Sequence, residues 1–500
     1  DVDMNNASGL AAIQLPSGSI LDGDGHTIKG LQLENALLGD VTDITVKNLT
    51  IEETTVANTS ADVTHVGVLV NTLKGSNTFS NIHIKSSSVS TQNGAAGGIV
   101  GYISRKDPNN REETLTVTFD DCHVTETTVS GTQSEGHFVG LLRGYDYNET
   151  LQFNSNCTLT LSATVRSAGD FVSPYREGNE GTWLANNDYS KYDGWLGDEE
   201  CYRGTVMYGN NRFIPCWDGI TKITPLTDGT TKLIYSAFDL ASLQGSGHAA
   251  VTFKEDVDLG GDRATNKNPF TPISTISTLD GGDKTIYNLY INVTNWIGAF
   301  IGASSGTTSH KNLNFSNSSV LVKPSSGSEL AYAATLCAYI EGSYTAENIK
   351  IDNAYVLGIS KSGGLNGYVT SGTTFYTAKQ CSVNNLRLEN SYLHLTGETF
   401  AASGEMGGLV GFIQQSALVE SCSVTNSVIN CLNSFLRHVN QFIGTIRLDN
   451  SSHRIDINKC NVSGNIYENK KDEKSKFVGG YSLSSLLQKG KVYIDGTRLR

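Results

Sequence analysis

A nine-residue frame, Asn-φ-x-φ-x-x-small-x-φ with φ apolar, returns along this chain and constrains its fold more than any other feature. It starts at Asn48 (NLTIEETTV), Asn81 (NIHIKSSSV), Asp121 (DCHVTETTV), Asn312 (NLNFSNSSV), Asn348 (NIKIDNAYV), Asn385 (NLRLENSYL) and Ser421 (SCSVTNSVI), and more loosely at Lys459 (KCNVSGNI). The last five starts lie 36, 37, 36 and 38 residues apart. Between them runs a Gly-rich motif: GGIVGYI from Gly97, FVGLLRG from Phe138, IGAFIG from Ile297, GGLVGFI from Gly407 and FVGG from Phe477. A period of this size is too short for a domain and suits one turn of a solenoid.

Alternation supplies the physical logic. The second and fourth positions are apolar (Leu49/Ile51, Ile82/Ile84, Leu313/Phe315, Ile349/Ile351, Leu386/Leu388), so they share one strand face. The third and fifth positions are polar and face water. Asn317, Asn353, Asn390 and Asn426 stand sixth, where a residue tolerant of the left-handed conformation can turn the chain. No single turn could bury its apolar face alone, so several must stack in parallel. The expected fold is all-β, a right-handed parallel β-helix.

A coarser duplication divides the chain. Asp1-Val-Asp-Met4 followed by Leu21-Asp-Gly-Asp-Gly-His-Thr-Ile28 matches Asp256-Val-Asp-Leu259 followed by Leu279-Asp-Gly-Gly-Asp-Lys-Thr-Ile286. The pattern predicts a first β-helix unit over 1–169, an aromatic-rich connector or insertion over 170–235, and a second unit over 236–500, stacked as two repeats. The chain opens on Asp1 without an initiator Met or signal-like segment. A trimmed product is therefore expected, its signal or anchor segment absent and its first unit lacking its opening residues.

Composition narrows the function. The net charge of −13 argues against a nucleic-acid partner, and no run of apolar residues is long enough to span a membrane. Only 17% of residues are charged and Gly reaches 52, a balance that suits short strands and tight corners. Nine Cys spread over 500 residues do not make a disulfide framework. Cys122, Cys422 and Cys460 take the second, inward position of their frames, where a thiol ladder is expected. Cys201 and Cys216, outside the frames, are the pair to test for a disulfide.

With these residues laid out, the chain resembles the GLUG-repeat cell-surface proteins of gut Bacteroidetes. The resemblance rests on SAFDLASL (236–243), VTFKEDVDLGG (251–261), FTPI (270–273), LDGGDKTIYNL (279–289), CWDGITKITP (216–225) and the Gly-φ-φ-Gly strands. It covers about 216–480 well and 1–145 in part, and 146–215 carries none of it. It implies a secreted or outer-surface, adhesin-like protein without an assigned active site, and names no ligand.

Candidate chemistry is sparse. The frames place Asp352 and Glu389 at one outward position of consecutive turns, with Lys350 and Arg387 beside them. Carboxylates one rung apart are at the separation retaining glycosidases use, so a polysaccharide lyase or glycosidase is the alternative reading. A solvated charge ladder explains the same residues. His83 and His123 share an outward position, but third and fourth metal ligands are missing from nearby spacing. The Asp-Gly pairs of LDGDGHTI and LDGGDKTI are read as turn chemistry rather than calcium ligands. Trp183, Tyr189, Tyr192 and Trp195 combine aromatic planes with interleaved Asn and Asp, so a glycan contact is expected there, against a structural cap as the rival. The reading is a non-enzymatic monomer on the outer cell surface. It presents a β-helical face to a host or microbial glycan or surface protein, with no catalytic residues, no metal and no cofactor.

Overall fold

The computed structural model describes residues 1–60, 65–107, 110, 113–132, 134–142, 149–154, 156–160, 205–208, 211–213, 216–217, 219–220, 222–323, 331–390, 404–430, 438–468, 477–481 and 490–499. Trp183, Tyr189, Tyr192, Trp195 and Cys201 lie outside them. The chain is all-β with parallel sheets. It forms two units, Asp1–Cys216 and Trp217–Arg500.

In the second unit the repeats between Thr275 and Asn440 each contribute a strand to each of three sheets, and neighbours within a sheet come from successive repeats. One sheet carries Thr275–Tyr287, Thr307–Ser316, Cys337–Asp352 and the strands that follow them. A six-stranded sheet runs through Tyr290–Val293, Ser319–Val322, Tyr355–Gly358, Arg387–Asn390, Val428–Asn430 and Ile466–Glu468. A five-stranded sheet runs through Ile297–Gly298, Tyr332–Ala333, Lys361–Gly363, Glu405–Gly407 and His438–Asn440. The parallel register stacks Ile286, Phe315, Ile351, Val383, Val424 and Val462 in one inward column. The first unit repeats the device with Ile28, Ile51, Ile84, Val124 and Leu159. Burying each such side chain is worth about 1.5–3 kcal/mol, which is why apolar residues hold these positions.

Every frame turns at two left-handed corners, five residues apart. The pairs are 48/53, 81/86, 121/126, 312/317, 348/353, 380/385, 421/426 and 459/464, with φ between +46° and +68°. Asn dominates because its amide can bond the next rung while its backbone holds this conformation. Asn81 Nδ2 donates to Asn48 Oδ1, and Asn348 Nδ2 to Asn312 Oδ1, each at 3.1 Å. The Gly-rich motif has a steric cause. A Cβ on Gly97 would lie 1.8 Å from the carbonyl oxygen of Val100, and one on Gly407 2.1 Å from that of Val410.

The corners correct one frame. The copy expected at Asn385 begins at Gln380, whose φ is +52°, and Asn385 is its second corner. Cys381 and Val383 hold the inward positions expected of Leu386 and Leu388, and Asn390 lies within strand Arg387–Asn390 rather than at a corner. Leu386 and Leu388 are still buried, because they follow the corner on the next strand.

Residues 217–235, expected in the connector, open the second unit instead. The hairpin of Leu226–Asp228 and Thr231–Ile234 is antiparallel, and its second strand pairs parallel with Gly247–Phe253. Helix Ala237–Ala241 follows, capped by Ser236 and Asp239 in reciprocal hydrogen bonds. Trp217 is 1% exposed and meets the Phe270 ring edge-on at 6.1 Å. Together these close the start of the inward columns against water. At the other end, Lys491–Ile494 folds back on Thr497–Arg498 in an antiparallel pair, which blunts the sheet edge.

The two Asp-Gly segments are bulges inside continuous strands, not tight turns before them. The register shifts between Asp22 and His26 and again between Asp280 and Lys284. Asp22 accepts from the Asp24 N–H, the Asn48 amide and Lys47, and Asp280 likewise from the Gly282 N–H, the Asn312 amide and Lys311. The same set of partners occupies each carboxylate in both units. The Lys47 ammonium first, then the Asn48 amide and Asp24 N–H, hold Asp22 down at about 2.

Cys381, Cys422 and Cys460 stand on consecutive rungs, and Cys122 and Cys157 do so in the first unit. Contact with the neighbouring thiol, and burial after it, pushes Cys460 up. Cys337, alone in its column, is pushed up to about 12 by burial. Burial keeps a reagent away from Cys337, Cys381 and Cys422 until the structure opens, so these positions should resist alkylation. Mass spectrometry after N-ethylmaleimide treatment should find Cys381 and Cys422 labelled at least ~100-fold more slowly in the native protein than in urea. Equal rates would mean that the ladder is not in the core.

Candidate functional site

The inward face of the six-stranded sheet is Ile291, Val320, Val356, Leu388 and Ile429, all fully buried. Alternation therefore turns Tyr290, Ser319, Tyr355 and Arg387 outward in one column. Beside this column run the second-corner residues Asn288, Asn317, Asn353 and Asn385. A cleft of about 440 Å³ lies over both, walled by the loop that carries Arg263. Its floor carries an Asn amide at each of four rungs, with the hydroxyls of Ser319 and Tyr355 beside them.

The loop is held firmly. Asp262 and Lys267 exchange two backbone hydrogen bonds of 3.0 and 2.9 Å. Asn266 Oδ1 accepts from the Tyr290 hydroxyl at 2.8 Å and from Asn292 Nδ2 at 3.1 Å. Asn268 Nδ2 donates to the Trp217 carbonyl at 2.7 Å. The loop lays the Arg263 guanidinium on the Tyr355 ring, 3.7 Å from its centroid. A cation at that distance is attracted by the ring's negative face.

Tyr355 also donates its hydroxyl to Glu389 Oε2 at 2.6 Å, while Arg387 Nε donates to Oε1 at 2.6 Å. Burial acts to raise the Glu389 carboxyl, but the Tyr355 hydroxyl and the Arg387 guanidinium outweigh it and hold the group below its usual value. Tyr355 is pushed up to about 12, by burial first and then by the bond to Glu389. Glu389 is thus an ionised strut, a poor proton donor at neutral pH.

Asp352 and Glu389 do not form a pair. Asp352 is in register with Asn384, whose Nδ2 donates to it at 2.7 Å, and Asn385 Nδ2 adds a bond of 3.2 Å. Glu389 is in register with Leu357, on a different sheet. Lys350 is in register with Ser382 and not with Arg387. The five-residue misplacement of the frame created the apparent ladder.

His83 and His123 are in register and stack with ring centroids 4.7 Å apart. The first bonds Asn81 Oδ1 at 2.9 Å; the second bonds Asp121 Oδ1 at 3.0 Å and Thr158 Oγ1 at 2.6 Å. Among the described residues no group of three or more His, Cys, Asp or Glu could hold a metal ion. Among the described residues no helix is long and apolar enough to cross a membrane.

A second aromatic cluster surrounds Lys361. Its ammonium lies 4.7 Å from the Tyr368 ring, 5.2 Å from Phe412 and 5.6 Å from Tyr332. Burial lowers the lysine, and Glu405 opposes the shift. This cage is already filled by a cation of the chain itself. Trp296, 53% exposed, was not singled out from the sequence. Neither was Arg263, which no motif marks. Tyr355 did carry a signal: it is an aromatic at the eighth frame position, where Thr55, Ser88, Thr128 and Ser319 stand in other copies.

No protein-family model, no curated protein and no solved structure matches this chain.

Proposed function

We propose that the chain is a glycan-binding adhesion protein of the outer cell surface, built as right-handed parallel β-helices, and that the cleft of the second unit is its binding site. The observation that carries this reading is the repeating floor. Asn288, Asn317, Asn353 and Asn385 offer like polar groups rung after rung, and rungs advance by about 4.8 Å. A polymer of sugar rings advances by a comparable step, so successive hydroxyls can meet successive amides. Rigid strands hold these polar groups in place before a ligand arrives. Location at the cell surface and the adhesin character follow from the motif resemblance, which names no ligand. The enzyme reading built on Asp352 and Glu389 has lost its geometric basis and is not carried forward.

Ser319→Trp tests the site. The side chain belongs to the outward column and lines the cleft, so an indole there fills the space without touching the inward column. On a glycan array and by calorimetry with the best-scoring polysaccharide, affinity should fall at least ~10-fold while the melting temperature stays put. Unchanged binding by this variant would move the site elsewhere on the chain.

A further inference from the structure

The charges around the cleft are unevenly matched. Glu389 is fully engaged by Tyr355 and Arg387. Asp262 is turned into its own loop, where Oδ1 accepts from the Ala264 N–H at 2.8 Å and Oδ2 from the Thr265 hydroxyl at 2.6 Å. Arg387, Arg447 and Arg454 each have a carboxylate partner. Arg263 has none among the described residues. Its guanidinium lies over the Tyr355 ring, is exposed, and lines the cleft.

We propose that the cleft takes an acidic polysaccharide, one bearing a carboxylate or sulfate on its sugar rings, and that Arg263 is the residue that binds the anion. This rests on the glycan reading of the same cleft. A guanidinium stacked by its face on an aromatic ring keeps its N–H edges free, and those edges match a carboxylate or sulfate through two parallel hydrogen bonds. The pinned loop and the ring beneath hold the group in place before the ligand arrives, so little side-chain freedom is lost on binding. The amide floor then serves the hydroxyls of the same rings. The chain as a whole carries −13, so a polyanion gains nothing from the overall field and depends on this local cation.

The test uses the full chain and polymers that differ only in charge: polygalacturonate against its fully methyl-esterified form, and chondroitin sulfate against desulfated, carboxyl-reduced chondroitin. The wild type should bind at least one acidic polymer about tenfold or more tightly than its neutral counterpart. Arg263→Gln should remove that preference, so that the acidic polymer binds no more tightly than its neutral counterpart, with the melting temperature unchanged. Arg263→Lys, which keeps the charge and loses the planar fork, should retain part of the preference. Equal binding of acidic and neutral forms by the wild type, or a preference that survives Arg263→Gln, would overturn the anion assignment and leave the glycan site standing. Binding of none of the four polymers, together with a blank glycan array, would overturn the glycan reading and this inference with it.

Discussion

Leu388→Asp should destabilise the second unit by more than about 5 kcal/mol, the largest effect of any single change considered. Leu388 is fully buried and stands between Val356 and Ile429 in an inward column. Removing a buried leucine costs about 2–5 kcal/mol through lost transfer energy and the cavity left behind. A carboxylate with no partner at that depth adds several more, or takes up a proton and still lacks a hydrogen bond. Because rungs are stabilised by their neighbours, the damage should spread along the stack rather than stay local. Thr374→Asp is the control. Thr374 is exposed on strand Asn366–Lys379, and the change should stay within about 0.5 kcal/mol. Urea denaturation followed by circular dichroism separates the two. Equal midpoints would mean that the inward columns are misassigned.

Acidification from pH 6.5 to below 4 should remove about 3 kcal/mol through one imidazole. His310 is fully buried, in the column with Leu279 and Ala346. Its Nε2–H donates to the Ile276 carbonyl at 2.7 Å, and Nδ1 accepts from the Tyr344 hydroxyl at 3.1 Å. Tyr344 in turn accepts from Asn366 Nδ2 at 3.4 Å, and Tyr376 donates to Asn366 Oδ1 at 2.9 Å. This chain of bonds requires neutral histidine. Burial brings His310 down from 6.5 to about 4. The unfolded chain therefore binds the proton first, and stability falls as pH drops from 6.5 through about 4. A shift of that size corresponds to about 3 kcal/mol. His83, lowered by burial and then by His123, acts in the same direction. Carboxylates held low, such as Asp280 and Glu389, lose their contribution at more acidic pH. Replacing His310 with Gln keeps a donor and an acceptor but cannot titrate. Unfolding free energies from urea titrations at pH 7, 5.5 and 4 should fall about 3 kcal/mol further in the wild type than in His310→Gln. Parallel slopes would show that His310 takes up its proton at the same pH in the folded and unfolded chain.

Much of this architecture was legible because its cause is local. An apolar residue at every second position makes a one-faced strand, and Asn at the sixth position makes a left-handed corner. Both can be read at Asn312 and Asn348 without any neighbour. The misplaced frame at Asn385 shows where local reading fails. Asn385 has the left-handed conformation that a frame start needs, and Leu386 and Leu388 alternate as required. Yet strands on either side of a corner alternate alike, so the pattern fits equally well five residues too late. Only pairing with the rung before, Ile351 to Val383 and Val356 to Leu388, separates the two registers. The supposed acid pair of Asp352 and Glu389 disappeared with that error.

The cleft lay further out of reach. Tyr355 could have been noticed as an aromatic in an outward polar column, but Arg263 precedes it by 92 positions and belongs to no motif. His310 was equally silent, since a single histidine in an alternating strand gives no sign that Tyr344 and Asn366 will meet it. By itself the sequence determined the repeat, the all-β character, the parallel stacking and the corner chemistry, because each follows from the side chains within one turn of chain. The tertiary structure alone decided the register at Gln380, the cap built from residues 217–235 and the meeting of Arg263 with Tyr355. Those depend on which rung lies against which, and that choice is made by the packing of distant side chains, which no local pattern encodes.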